Sequence, residues 1–146
     1  MSDRPAQSFA NHARYVPPWH FVCGPILLGL AIWAAVRLVQ APSADTTGDL
    51  LLLIALLILY VYARWFALRA QDRVIRLEEQ LRYQRLFPPD LLSRIDEFTS
   101  SQYIALRFAS DTEVAQLART VLDEKITAQK QIKQMIRHWR PDHLRV

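Results

Sequence analysis

Hydrophobic and polar positions divide this chain into two regimes that meet near residue 68. Two apolar runs, residues 19–39 and 50–68, carry almost no charge, whereas later residues alternate polar and apolar every few positions. Each run comes close to the roughly 20 residues that a helix rising 1.5 Å per residue needs to cross a hydrocarbon core of about 30 Å. A helix on the surface of a soluble protein turns a polar stripe to water, and neither run has one. The pattern predicts an all-α protein: a two-helix transmembrane hairpin whose second span extends into a cytosolic helix, followed by a small helical domain. Its divisions are an interfacial N-terminal arm over 1–18, the hairpin over 19–68, a membrane-proximal amphipathic helix over 69–87 and the helical domain over 88–146.

Periodicity fills in the parts. Ala6, Phe9, Ala10, Ala13 and Val16 share one helical face, which suits a short helix lying in the membrane interface. Pro17 and Pro18 end that helix ahead of Trp19. In the first span, Gly24 and Gly29 offer room for a neighbouring helix, and Pro25 sits near enough to the start to shape the first turn. Beyond the second span no Gly or Pro interrupts 67–87, so the helix continues. Ala67, Ala70, Val74, Leu77 and Leu81 recur on it at steps of three and four. Such a stripe serves a second copy of the chain as a short coiled coil, or packs on the chain's own C-terminal domain. Pro88 and Pro89 then stop the helix. Start signals follow: Pro89-Asp90 ahead of 91–97, a capping box Thr99-Ser100-Ser101-Gln102 ahead of 103–108, and a second box Ser110-Asp111-Thr112-Glu113 ahead of 114–125. Val114, Leu117, Ala118, Val121 and Leu122 form the core stripe of that helix. A last helix over 127–139 offers Ile132, Met135, Ile136 and Trp139. A core this thin is marginal alone and is expected to lean on the 67–87 helix or on a neighbouring subunit.

Charge orients the hairpin. The loop over 40–49 carries Asp45 and Asp49 and no Lys or Arg, whereas fifteen of the 18 basic residues lie from Arg64 onward. Positive residues near span ends stay cytoplasmic, which places both termini of this multi-pass chain on the cytoplasmic side and the loop outside. Ala41-Pro42-Ser43-Ala44 resembles a signal-peptide cleavage site, but the long leader, the length of the apolar run and Arg37 favour a retained span. The candidate interface residues are Asn11, His12, Arg14, Tyr15, Trp19, His20, Arg64, Trp65 and Asp72. Arg64 beside Trp65 reads as a side chain reaching the inner headgroups. Arg14 or His12 is placed by topology to meet Asp72 or Tyr62.

Candidate chemistry is sparse. The single Cys, Cys23, reads as a small packing residue, and one cysteine supports no disulfide framework within the chain. His12, His20, His138 and His143 lack metal-ligand spacing, and no nucleophile elbow, phosphate-cradling glycine loop or HExxH motif occurs. Glu78-Glu79, Asp96-Glu97 and Asp123-Glu124 point their side chains about 100° apart on a helix and read as solvated faces. No enzyme, cofactor or metal site is expected. Lys125, Lys130, Lys133, Arg137 and Arg140 cluster around the last helix as a surface for anionic lipid or a partner, with nucleic acid disfavoured because the cluster sits beside an anionic leaflet. The function expected is a membrane-anchored helical interaction or scaffold protein. Its partners are the bilayer and either its own copies or another membrane or cytosolic protein. The rival is an oligomeric pore or a transporter-accessory subunit, which would need a polar lining that 50–63 does not provide.

Asn11-His12-Ala13-Arg14-Tyr15-Val16-Pro17-Pro18-Trp19-His20 reads as N-H-x-R-x-x-P-x-x-H, and the chain closes on Trp139-Arg140-Pro141-Asp142-His143. Two spans between these bookends resemble, over essentially the whole length, a bacterial family of small two-span membrane proteins catalogued only as a domain of unknown function. The resemblance implies an inner-membrane protein and transfers no catalytic or ligand residue.

Overall fold

The computed structural model describes residues 8–9 and 15–142. Among these the chain is helical, with no strand and one isolated antiparallel bridge between Ala109 and Trp139. It forms two compact units, one within residues 15–68 and one within 69–142. The expected arm helix lies largely outside the described residues, as do Asn11, His12, Arg14 and His143, and with them the expected contact to Asp72 or Tyr62.

In the first unit, a π-helical segment Pro18–Cys23 leads directly into α1 (Gly24–Gln40). The wide turns stand immediately before Pro25, which lacks an N–H and whose ring crowds the preceding turn. The Trp19 carbonyl accepts from the Gly24 amide and also, at 2.7 Å, from the Tyr60 hydroxyl. Tyr60 stacks on the Trp19 ring at 4.0 Å. Gly24 makes this approach possible, since a Cβ there would lie 2.9 Å from the Tyr60 oxygen. Gly29 meets nothing within 4 Å, and the small residues buried on α1 are Ala31 and Ala34 instead. Cys23 is exposed, contrary to its reading as a packing residue; the close approach of Tyr60 is made at Gly24.

The connection after α1 is shorter than the pattern 40–49 predicts. α2 (Ala44–Leu86) begins within that supposed loop, leaving only 41–43 between the helices. A reciprocal cap explains the early start. Ser43 Oγ accepts from the Thr46 amide at 3.1 Å while Thr46 Oγ1 accepts from the Ser43 amide at 2.9 Å. Two otherwise orphaned donors are satisfied, and Asp45 adds negative charge at the positive end of the helix. Arg37 near the end of α1 lies 3.6 Å from Asp49.

The second unit has a built core. The later part of α2 contributes Ile75, Tyr83 and, just past its end, Phe87. α3 (Pro89–Leu92) and a 3₁₀ turn (Ile95–Glu97) follow, then α4 (Ser100–Leu106), α5 (Val114–Asp123) and α6 (Gln129–Met135). Tyr83 stacks on Phe87 at 4.2 Å and on Tyr103 at 5.6 Å, with Phe98 tilted against all three. The domain therefore leans on the α2 helix, as its thin core requires. The stripe Val114, Leu117, Ala118, Val121 and Leu122 is buried as predicted.

Three local expectations change. The Thr99 box forms, but α4 starts at Ser100 because Thr99 itself is the cap, with Gln102 returning the bond to the Thr99 amide at 2.8 Å. The second box does not form: α5 has no side-chain cap, and Glu113 instead accepts from the amides of Arg137 and His138 at 3.2 and 2.9 Å. That diversion also shortens the last helix. Ile136 turns extended, so α6 ends at Met135 and residues 137–140 run as a strap. α5 closes in a Schellman motif, Ile126 N–H to the Val121 carbonyl at 2.9 Å, which forces Lys125 to φ 52°.

Candidate functional site

The chemistry that sequence reading missed lies beneath that strap. Glu79, assigned above to a solvated face, is buried, and the correction has a simple cause: it occupies the same α2 face as Ile75, Arg82 and Tyr83. Arg82 donates from Nη1 to Glu79 at 2.9 Å, from Nε to Asp111 at 2.8 Å and from Nη2 to the Ala109 carbonyl at 2.7 Å. Arg140 reaches the other oxygen of Glu79 at 3.2 Å. Two carboxylates and two guanidiniums thus balance, and Arg82, almost fully buried, has an acceptor on each of its three nitrogens.

The C-terminal Trp139-Arg140-Pro141-Asp142 segment is the clasp over this cluster. The Arg140 amide donates to the Phe108 carbonyl at 2.7 Å and the Ser110 amide to the His138 carbonyl at 3.0 Å. Trp139 lies against Phe108 at 5.0 Å, and Asp142 pairs with Arg107 at 3.0 Å. Every residue of the motif but the proline has a partner in the second unit. The hydroxyl of Tyr83 is buried beside the cluster without a hydrogen bond of good geometry. Burial first, and the Glu79 carboxylate second, push its pKa well above 10.0. Within the cluster the buried charges of Glu79 and Arg82 pair with each other and with Asp111 and Arg140, whose side chains remain half or more exposed.

The predicted interface residues separate into groups. In the first unit, Tyr15 is exposed and meets His20 edge-on at 5.6 Å, while His20 Nδ1 lies 3.1 Å from the Val16 amide at the start of the helix. Trp65 packs edge-on to Tyr62 at 5.8 Å and against Phe66, and Arg64 beside it is half-buried. In the second unit, Asp72 lines an open cleft of about 580 Å³ with Arg69, Arg73, Arg76, Leu77, Gln80 and Ser100. The expected basic surface is divided. Lys125, Lys130 and Arg137 are exposed, whereas Lys133 lies over the Phe108 ring at 5.4 Å and Arg140 is held by Glu79.

A family model, described as a family of unknown function (DUF6526), matches residues 1–146. The chain belongs to this family. No curated protein and no solved structure matches it. The match spans both the residues around Trp19 and His20 and the C-terminal segment of the clasp.

Proposed function

We propose that this chain is a membrane-anchored interaction protein, with α1 and the first part of α2 forming a transmembrane hairpin. The helical domain is displayed at the cytoplasmic face of a bacterial inner membrane, and both termini are cytoplasmic. The observation that carries this reading is the exposure of apolar side chains all around two long helices. Pro18–Gln40 and Ala44–Leu86 contain windows of mean hydropathy 2.0 and 2.2 of which 6% and 0% is buried. Phe21, Ile32, Trp33, Val39, Leu51, Leu59 and Val61 all stand exposed. Helices that are apolar on every side are stable only when a nonaqueous medium or other protein surrounds them, and here the chain itself does not. The acidic turn at Asp45 and Asp49, against the arginines from Arg64 onward, supports the orientation.

An anchor is favoured over a pore because residues 50–63 supply no polar stripe to line one. Flotation with membranes after alkaline carbonate washing tests the anchoring, and release into the wash sinks it. A periplasm-active reporter inserted near Asp45 should work and one fused after Val146 should not; the reverse overturns the orientation. Ion conductance by the purified chain in liposomes would favour the pore instead.

A further inference from the structure

The stripe that sequence periodicity singled out on α2 is not the face that packs on the chain's own domain. Val74, Leu77 and Leu81 are 52%, 61% and 63% exposed. The domain instead takes Ile75, Glu79, Arg82 and Tyr83, on the other side of the same helix. We infer that a second copy of this chain covers the stripe Ala67, Ala70, Val74, Leu77 and Leu81, the two helices running parallel as a short coiled coil.

The heptad register follows from the spacing. With Ala67, Val74 and Leu81 at a and Ala70 and Leu77 at d, the residues used by the domain fall at b, f, b and c, the positions that face outward in a two-stranded coil. Each copy can therefore keep its own domain in place while its a/d seam meets the other. Charge specifies the occupant. Arg73 at g and Glu78 at the following e are both exposed. In a parallel pair, g of one helix faces that e of the other, so Arg73 meets Glu78 of the second copy, twice by symmetry. An antiparallel pair would set g against g and e against e, so Arg73 would meet Arg73 or Gln80 and Glu78 would meet Gln71 or Glu78, and no opposite charges would be paired. Val74 at a with Leu77 at d, in the middle of the seam, also favours two strands. Two heptads are short for a free coiled coil, and tethering to one membrane offsets this by raising the effective concentration. The parallel direction rests on the membrane reading above; the identity of the pairing face does not.

The test uses the full chain in membranes, with Cys23→Ser removing the native thiol. Single cysteines are introduced by Val74→Cys, Leu77→Cys and Leu81→Cys, and as controls by Asp72→Cys and Arg76→Cys at the outward f and c positions. Mild oxidation should give disulfide-linked dimers at 74, 77 and 81 and little at 72 and 76. In the Leu77→Cys background, Arg73→Glu should lower the yield about two- to threefold, and adding Glu78→Arg should restore it. Equal yields at all five positions, no dimers, or adducts only to a different protein would overturn the inference. Fractionating the same samples keeps the two proposals apart. A membrane-bound chain without the 74/77/81 pattern sinks the pairing alone, and the pattern in a soluble fraction sinks the anchoring alone.

Discussion

Leu52 and Leu106 are the same side chain in opposite surroundings. Leu52, in the first part of α2, is 61% exposed, and Leu106, at the end of α4, is fully buried. The contrast extends over the two regions. Residues 15–68 hold most of their large apolar groups outward, and the residues buried on α1 are the small Ala31 and Ala34. Residues 69–142 bury Tyr83, Tyr103 and Phe108 and turn most of their charges outward. One helix, α2, runs through both regimes, so helix propensity does not separate them. On the membrane reading proposed above the medium separates them: lipid around the apolar groups of the first region would leave little to gain from burying them, whereas in water apolar burial decides packing. The few charges that the second region does bury, Glu79, Arg82 and the guanidinium of Arg107, are where it departs from its own rule.

That departure gives the largest expected effect. Arg82→Met leaves Glu79 buried with only Arg140 against it and strips the Ala109 carbonyl of its donor. The loss should be about 3–5 kcal/mol of stability in residues 69–142, the usual cost of breaking a buried pair on one side. Hydrogen exchange on the full chain in detergent reads it, with α4 and α5 amides losing protection while α1 amides keep theirs. A loss shared equally by α1 would mean that the two regions do not unfold separately.

The leucine pair itself tests the contrast next. Leu106→Ala should cost about 2–5 kcal/mol through lost burial and the cavity left behind. Leu52→Ala should stay within about 0.5 kcal/mol, as a surface substitution does. Thermal denaturation of the two variants in the same detergent checks the ratio. If Leu52→Ala proved the costlier change, the outward apolar groups of α2 would be a protein interface and not a lipid-facing surface.

How much of this was legible beforehand follows the same division. The apolar runs, the uninterrupted helix after residue 68, the Thr99–Gln102 box and the α5 stripe are local patterns, and local patterns can be read from sequence. Ser43 and Thr46 could have been read too, because Ser-x-x-Thr mimics a capping box, but the apolar run drew the boundary to residue 50. Glu79 was misread for a different reason. An adjacent pair of glutamates looks solvated, and only the spacing Ile75, Glu79, Arg82, Tyr83 and Leu86 reveals a second buried face competing with the more apolar one. The strap was invisible because Glu113 fits a capping box equally well, and its actual bonds span 24 and 25 residues.

Tyr83 sharpens the contrast by pH. Its hydroxyl is buried, and its pKa is raised in the folded chain above the ordinary 10.0. A group with a raised folded pKa contributes fully below its unfolded pKa, and that contribution falls as pH rises past it. Residues 69–142 should therefore lose stability above pH of about 10, with Tyr103, also raised by burial, acting in the same direction. Tyr83→Phe should remove part of this alkaline slope. It should also gain up to about 1 kcal/mol at neutral pH, by relieving a buried hydroxyl that lacks a well-formed hydrogen bond. Denaturant midpoints at pH 8 and pH 10.5 measure both, and an unchanged alkaline slope in the variant would remove Tyr83 from the account.

The smallest effect concerns a residue that sequence reading assigned to a basic surface. Lys125 holds φ 52° at the end of α5, a left-handed conformation that crowds any Cβ and that glycine adopts freely. Its side chain is exposed, so removing it leaves no cavity. Lys125→Gly trades a strained native backbone for a more flexible unfolded chain, and at a Schellman position the first effect exceeds the second. The variant should gain about 0.5–1 kcal/mol, read as a raised unfolding midpoint of residues 69–142. Lys125→Ala, which keeps the Cβ, separates the causes: it should gain little if backbone strain is responsible. If instead the alanine variant gains as much as the glycine, the benefit comes from removing the charged side chain and not from relieving the backbone.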